Sequence, residues 1–175
     1  MSLIQKINAV GIDAQIQNLQ SYLYTELTDV EGWTNYESYE RAYKNKKNDS
    51  TIPEIYIGEY LEVLFNDKFS ATSFFLTEDN ETISDNLCSS KISLIYQVQL
   101  NKLFPSVPHR ADEELREMLK MLLKKNPYGF DLVGVQVGID NVYADLDVNI
   151  DYTDDMQNFH VVRFDLELNY NITNC

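Results

Sequence analysis

The side chains that could do chemistry in this chain gather in two places. From Ala144 to His160 the sequence reads ADLDVNIDYTDDMQNFH, with Asp145, Asp147, Asn149 and Asp151 at every second position and Asp154 and Asp155 close behind. Asp145, Asp147 and Asn149 stand where an EF-hand calcium loop has its first three oxygen ligands. That loop also needs glycine at its sixth position and glutamate at its twelfth; those positions hold Ile150 and Met156. Leu146, Val148 and Ile150 alternate with the acids at strand period, so the stretch predicts a strand and a turn. Asp151, Asp154 and Asp155 at the hairpin tip are the one grouping open to a loose divalent ion, and no metal site is expected. The second place is the pair His109 and His160, each with acids nearby in sequence, the raw material of acid–base catalysis. No candidate nucleophile is paired with either ring, and no nucleophile elbow, phosphate-binding loop, zinc-ligand spacing or HExxH is present. The sequence therefore predicts no catalytic residue and no cofactor. An enzymatic reading would require the two histidines to share a pocket.

The elements that must position these residues follow from periodicity. Ile4, Ile7, Ile12, Ile16, Leu19 and Leu23 recur mostly at helical steps of three or four, which predicts a helix over residues 3–27, interrupted at Gly11 with Asp13 as a new N-cap. Strands are expected in EIYIGEYLEVLF (54–65) and ATSFFLTE (71–78), with an exposed turn at KNKKNDS and a loop over 78–90. KISLIYQVQL alternates as a half-buried strand, Ile92, Leu94, Tyr96, Val98 and Leu100 against Ser93, Ile95, Gln97 and Gln99. The most secure helix spans 112–125. Asp112 is its expected N-cap, its acids come first and its lysines last, and Leu115, Met118, Leu119 and Leu122 form one apolar stripe. Val133, Val135, Val137 and Ile139 alternate with Gly134 and Gly138, whose presence predicts a bulge or a close backbone approach. Two further strands are expected at Ala144–Tyr152 and at Val162–Tyr170. This order predicts one α+β domain over 1–175, a largely antiparallel β-sheet packed by an N-terminal helix and the central helix at 112–125.

The totals narrow the function. At 175 residues the chain can bury about 70% of the surface its unfolded form exposes. Its 28 acidic against 14 basic residues give a net charge of −14, which repels polyanions and excludes tight nucleic-acid binding through phosphate neutralisation. The opening residues carry no basic region followed by an apolar block, and no run approaches the length of a membrane span, so neither a secretory signal nor a membrane anchor is expected. Cys88 and Cys175 make no metal spacing and no disulfide framework. The aromatics of GWTNYESYERAY are surrounded by acids, which argues against base stacking and for core or interface packing.

QVQLNKLFPSVPHRADEELREMLKMLLKKNPYGFDLVGVQVGIDNVY and the closing DMQNFHVVRFDLELNY carry a family likeness. The run from Gln97 to Tyr170 resembles the tail terminator (tail completion, neck-type) proteins of tailed bacteriophages, especially those of Bacteroidetes hosts. Leu100, Lys102, Leu103, Phe104-Pro105 and His109 to Glu114 carry the likeness, with Met156, Phe159, His160 and Phe164 near the end, and TIPEIYIGEYLEVLFNDKFSATSFF shares its flavour. The resemblance implies a non-enzymatic virion protein: one subunit of a ring, six-fold in the family, between the tail tube and the head connector. Its partners would be copies of itself and those neighbouring proteins, with DNA passing through unbound. On this reading Trp33, Tyr36, Tyr39 and Tyr43 are candidate interface residues, and Asp145, Asp147, Asp151, Asp165 and Glu167 are a candidate acidic channel face. No motif separates terminators from head-closure or other connector rings. A cytosolic calcium- or ligand-binding module stands as a rival.

Overall fold

Strict apolar alternation in the second half of the chain produces the strands at the middle of the fold. The computed structural model describes residues 2–41, 43–44, 51–52, 65–78, 81–84, 86–144 and 159–171. In chain order the strands are β1 (Ser2–Ile4), β2 (Tyr36–Tyr39), β3 (Tyr43–Lys44), β4 (Thr51–Ile52), β5 (Ala71–Thr77), β6 (Thr82–Ser84), β7 (Leu87–Val98), β8 (Phe130–Val137) and β9 (His160–Asn171). The helices are α1 (Ile12–Thr25), α2 (Leu100–Leu103), α3 (Asp112–Lys125) and α4 (Ile139–Val142). The main sheet has seven strands in the order β1-β2-β5-β7-β9-β8, with β6 added to β7, while β3 and β4 form a small separate pair. The β1–β2 and β2–β5 pairs are parallel and the other pairs antiparallel, so the chain is α+β with a mostly antiparallel sheet, as its element order predicts.

One face of the sheet is covered by α1 and α3. Ile16, Leu19 and Leu23 of α1 and Leu115, Leu119, Leu122 and Leu123 of α3 pack on Phe75, Leu94, Tyr96, Phe164 and Leu166. Each such side chain contributes roughly 1.5–3 kcal/mol when fully buried. The opposite face carries a smaller cluster in which Phe74, Leu76, Ile95 and Val161 meet Val142 and Tyr143 from the α4 region. Because both faces are covered, Ser93, Ile95, Gln97 and Gln99 are buried too, and β7 is a central strand rather than a half-buried one.

Other expectations need correction. The helix predicted from residue 3 begins at Ile12. Ser2–Ile4 is instead a strand pairing with β2, and Gly11, at φ 57°, turns the chain into α1. Asp13 does not cap α1. It is buried, accepting from Arg41 Nε at 2.6 Å and Lys6 Nζ at 3.0 Å. Burial alone would raise its pKa, but these bonds and charges outweigh it and hold the carboxyl below its usual range. The expected loop at 78–90 contains β6 and the start of β7. Helix α3 has the predicted bounds, with Ala111 rather than Asp112 at its N-cap. The expected strands at 54–65 and at Ala144–Tyr152, and the KNKKNDS turn, lie outside the described residues except for Phe65, Ala144 and Lys44.

Gly134 of β8 marks a bulge, as expected, whereas Gly138 lies beyond the strand at the start of α4. Leu132 pairs with Leu166 and Gly134 with Asp165, leaving Val133 as the extra residue. A single inserted residue shifts alternation by one. Val133 therefore leaves the apolar face and is 59% exposed, whereas Leu132, Val135 and Val137 pack on the core. Gly134 is needed for close approach: a Cβ there would sit 3.1 Å from Asp165 Oδ2.

Candidate functional site

The aromatic residues expected at an interface are spent inside the chain. Trp33, Tyr36 and Tyr39 are each no more than 3% exposed. A π-helical turn at Glu26–Val30 ends α1, and Gly32 and Asn35, both at positive φ, swing Trp33 and Tyr36 under the helix. There Trp33 packs edge-on to Tyr36 at 5.2 Å and to Tyr96 at 6.1 Å between centroids, and Tyr36 Oη bonds Ser73 Oγ at 2.6 Å. Tyr39 faces the smaller cluster, where its hydroxyl bonds Glu37. These rings organise the core and leave no area for a partner. The Tyr43 side chain lies outside the described residues.

Of the five acids proposed for a channel face, Asp145, Asp147 and Asp151 lie outside the described residues. Asp165 and Glu167 point away from α1 and α3, since their neighbours on β9, Phe164, Leu166 and Leu168, fill the helix-covered core. Asp165 accepts from Arg163 Nε at 2.6 Å and from Gln136 Nε2 at 3.2 Å, so its charge is compensated locally. Glu167 stands opposite Asp131 of β8 in the pairing register and accepts from Ser89 Oγ at 3.3 Å. Like charges set directly opposite cost a sheet stability, and this pair sits on the solvent-facing part of the surface.

The two histidines do share a cavity. It measures about 280 Å³ and lies between α2, the loop that follows it and the start of β9. Arg110 Nη2 donates to His160 Nδ1 at 3.0 Å. Arginine has only donors, so the neutral ring carries its proton on Nε2, which is buried without a partner among the described residues. Burial, then the charges of Arg110 and Arg116, hold the ring below the usual histidine pKa against the pull of Asp112. His109 is exposed and bonds Glu114 Oε1 through Nε2 at 2.6 Å. Among the described residues no serine, threonine or cysteine lines the cavity, and each ring already has its own partner. The arrangement holds a ligand more readily than it activates one. Sequence reasoning singled out the histidines and missed Arg110, whose link to His160 spans fifty residues of chain.

The remaining feature is the pair of sheet ends. Among the described residues β1 and β8 have a strand neighbour on one side only. Ile7 and Val10 follow β1 and are 86% and 62% exposed; Tyr128 precedes β8 and Val133 lies on it, both exposed. Among the described residues no group of three or more His, Cys, Asp or Glu is placed to hold a metal ion, and no helix is long and apolar enough to cross a membrane. No protein-family model and no curated protein matches the chain.

Proposed function

We propose that this chain is a structural virion subunit that assembles head to tail into a ring at the tail–head junction of a tailed phage, a tail terminator or a neighbouring connector ring. The observation that carries the assembly is that the two ends of one sheet, β1 and β8, are each flanked by exposed apolar side chains. An open edge is a template for pairing with another chain. Two different edges at opposite ends of a subunit give a heterologous contact, which closes into a ring when its rotation allows. The virion assignment rests on the resemblance of Gln97 to Tyr170. The described part of that run includes α2, α3, β8, nearly all of β9 and the end of β7, and in it β9 pairs with both β7 and β8. The facing acids Asp131 and Glu167, with the net charge of −14, suit a lumen through which DNA passes without ion release or adhesion.

Electron microscopy of the purified protein at high subunit concentration tests the assembly. Rings with a central channel are expected for the native chain. Val133→Lys, which alters an exposed side chain on the β8 edge, should leave the circular dichroism spectrum unchanged and disperse the rings. Native chain that stays dispersed, or rings unaffected by the lysine, would count against the reading.

A further inference from the structure

The cavity at His160 has the composition of a binding site, and the proposed ring does not require it. Its walls are apolar: Leu100 from α2, Phe104 and Val107 from the following loop, and Phe159 at the entry to β9. Among the described residues its polar groups are Asn101, His109, Arg110 and His160, with no carboxylate in the lining. In a chain with 28 acids, the run from Gln99 to Ala111 holds none while carrying Lys102, His109 and Arg110. Asp112 comes no nearer to Arg110 than 3.8 Å from Nε, and Glu114 holds His109. Arg110 Nη2 is anchored on a neutral ring rather than on a carboxylate, which orients the guanidinium, while the ion pair of its Nε with Asp112 compensates its charge only in part. Its Nη1 makes no hydrogen bond among the described residues.

We propose that this cavity binds a carboxylate carried on a short apolar body, the carboxylate on Arg110 and the body between Leu100, Phe104, Val107 and Phe159. A planar guanidinium matches a carboxylate with two parallel hydrogen bonds. One fixed permanent cation suits a monoanion, because the net charge of −14 opposes a dianion more strongly. The volume, about 280 Å³, falls just below that of cavities built for drug-sized ligands, which limits the body to a few carbons. Such a group occurs as the C-terminal residue of a peptide and as a free short-chain acid.

Titration calorimetry and two-dimensional NMR of the full chain test this with three probes: an acetylated tripeptide ending in leucine with a free carboxylate, its C-terminal amide, and hexanoate. At least one acid should bind and perturb the resonances of Leu100, Val107 and His160, while the amide should not. Saturation by the peptide acid alone identifies a peptide terminus as the source, and saturation by hexanoate alone identifies a free acid. The Arg110→Gln variant, at a side chain that is mostly exposed, should weaken binding about tenfold or more, the loss of a charge-assisted pair. Equal binding of the acid and amide peptides, binding by neither acid, or shifts confined to other surfaces would overturn the proposal.

Discussion

His160 shows how a single side chain can be fixed by what surrounds it. Its ring lies between the start of β9 and the loop before α3, with Arg110 donating to one nitrogen and the other buried. Protonation would place a third positive charge beside Arg110 and Arg116, with Asp112 the acid that favours it. The folded ring therefore holds its proton less tightly than the unfolded ring, whose pKa is about 6.5. Between those two values the unfolded chain binds more protons, so stability rises with pH. This contribution is fully present above about pH 6.5 and is lost as pH falls from there through the folded pKa. Urea unfolding of the native chain and of His160→Gln at pH 5, 6 and 7.5 measures it. The gap between the two should change with pH in that window, the native chain losing more stability on acidification. Parallel pH profiles would show that the ring does not titrate between the two states.

At the scale of elements, the bulge in β8 sets which residues face the core and which face outward. Asp165 is held by Arg163 and Gln136, so it has little room to yield to a Cβ added at Gly134. Gly134→Ala should therefore lower stability by about 1 kcal/mol, as mild overpacking does, and the urea midpoint reports it. A raised midpoint would mean that Asp165 moves aside freely. The glycines made the bulge legible in the sequence, but not which valine it would expel. The α3 helix and β9 could be read almost residue by residue, because one face of each meets the core and the other meets more polar surroundings. Strand β7 misled for the opposite reason: its second face is covered by residues distant in sequence, and alternation cannot report that cover. Ile4 and Ile7 stand one helical step apart, yet Ser2–Ile4 is a strand, because three residues paired with β2 outweigh a weak local pattern. The shared cavity of His109 and His160 was legible only as a requirement of one functional reading. Its key contact, Arg110 to His160, joins distant segments and leaves no periodic trace.

At the scale of the whole molecule, a mostly antiparallel sheet with covered faces and, among the described residues, two open ends is suited to joining others of its kind. The interior uses Trp33, Tyr36 and Tyr39, the aromatic residues expected at an interface, so the described surface offers its edges instead. The proposed ring gives those features set places in an assembly. A cryo-electron microscopy map of the particle that carries this chain tests it most directly. The account predicts a ring at the tail–head junction, with β8 of each subunit against its neighbour and Asp131 and Glu167 turned toward the channel. A map with β8 facing solvent and those acids on the outer wall, or with no copy of the chain at the junction, would contradict it.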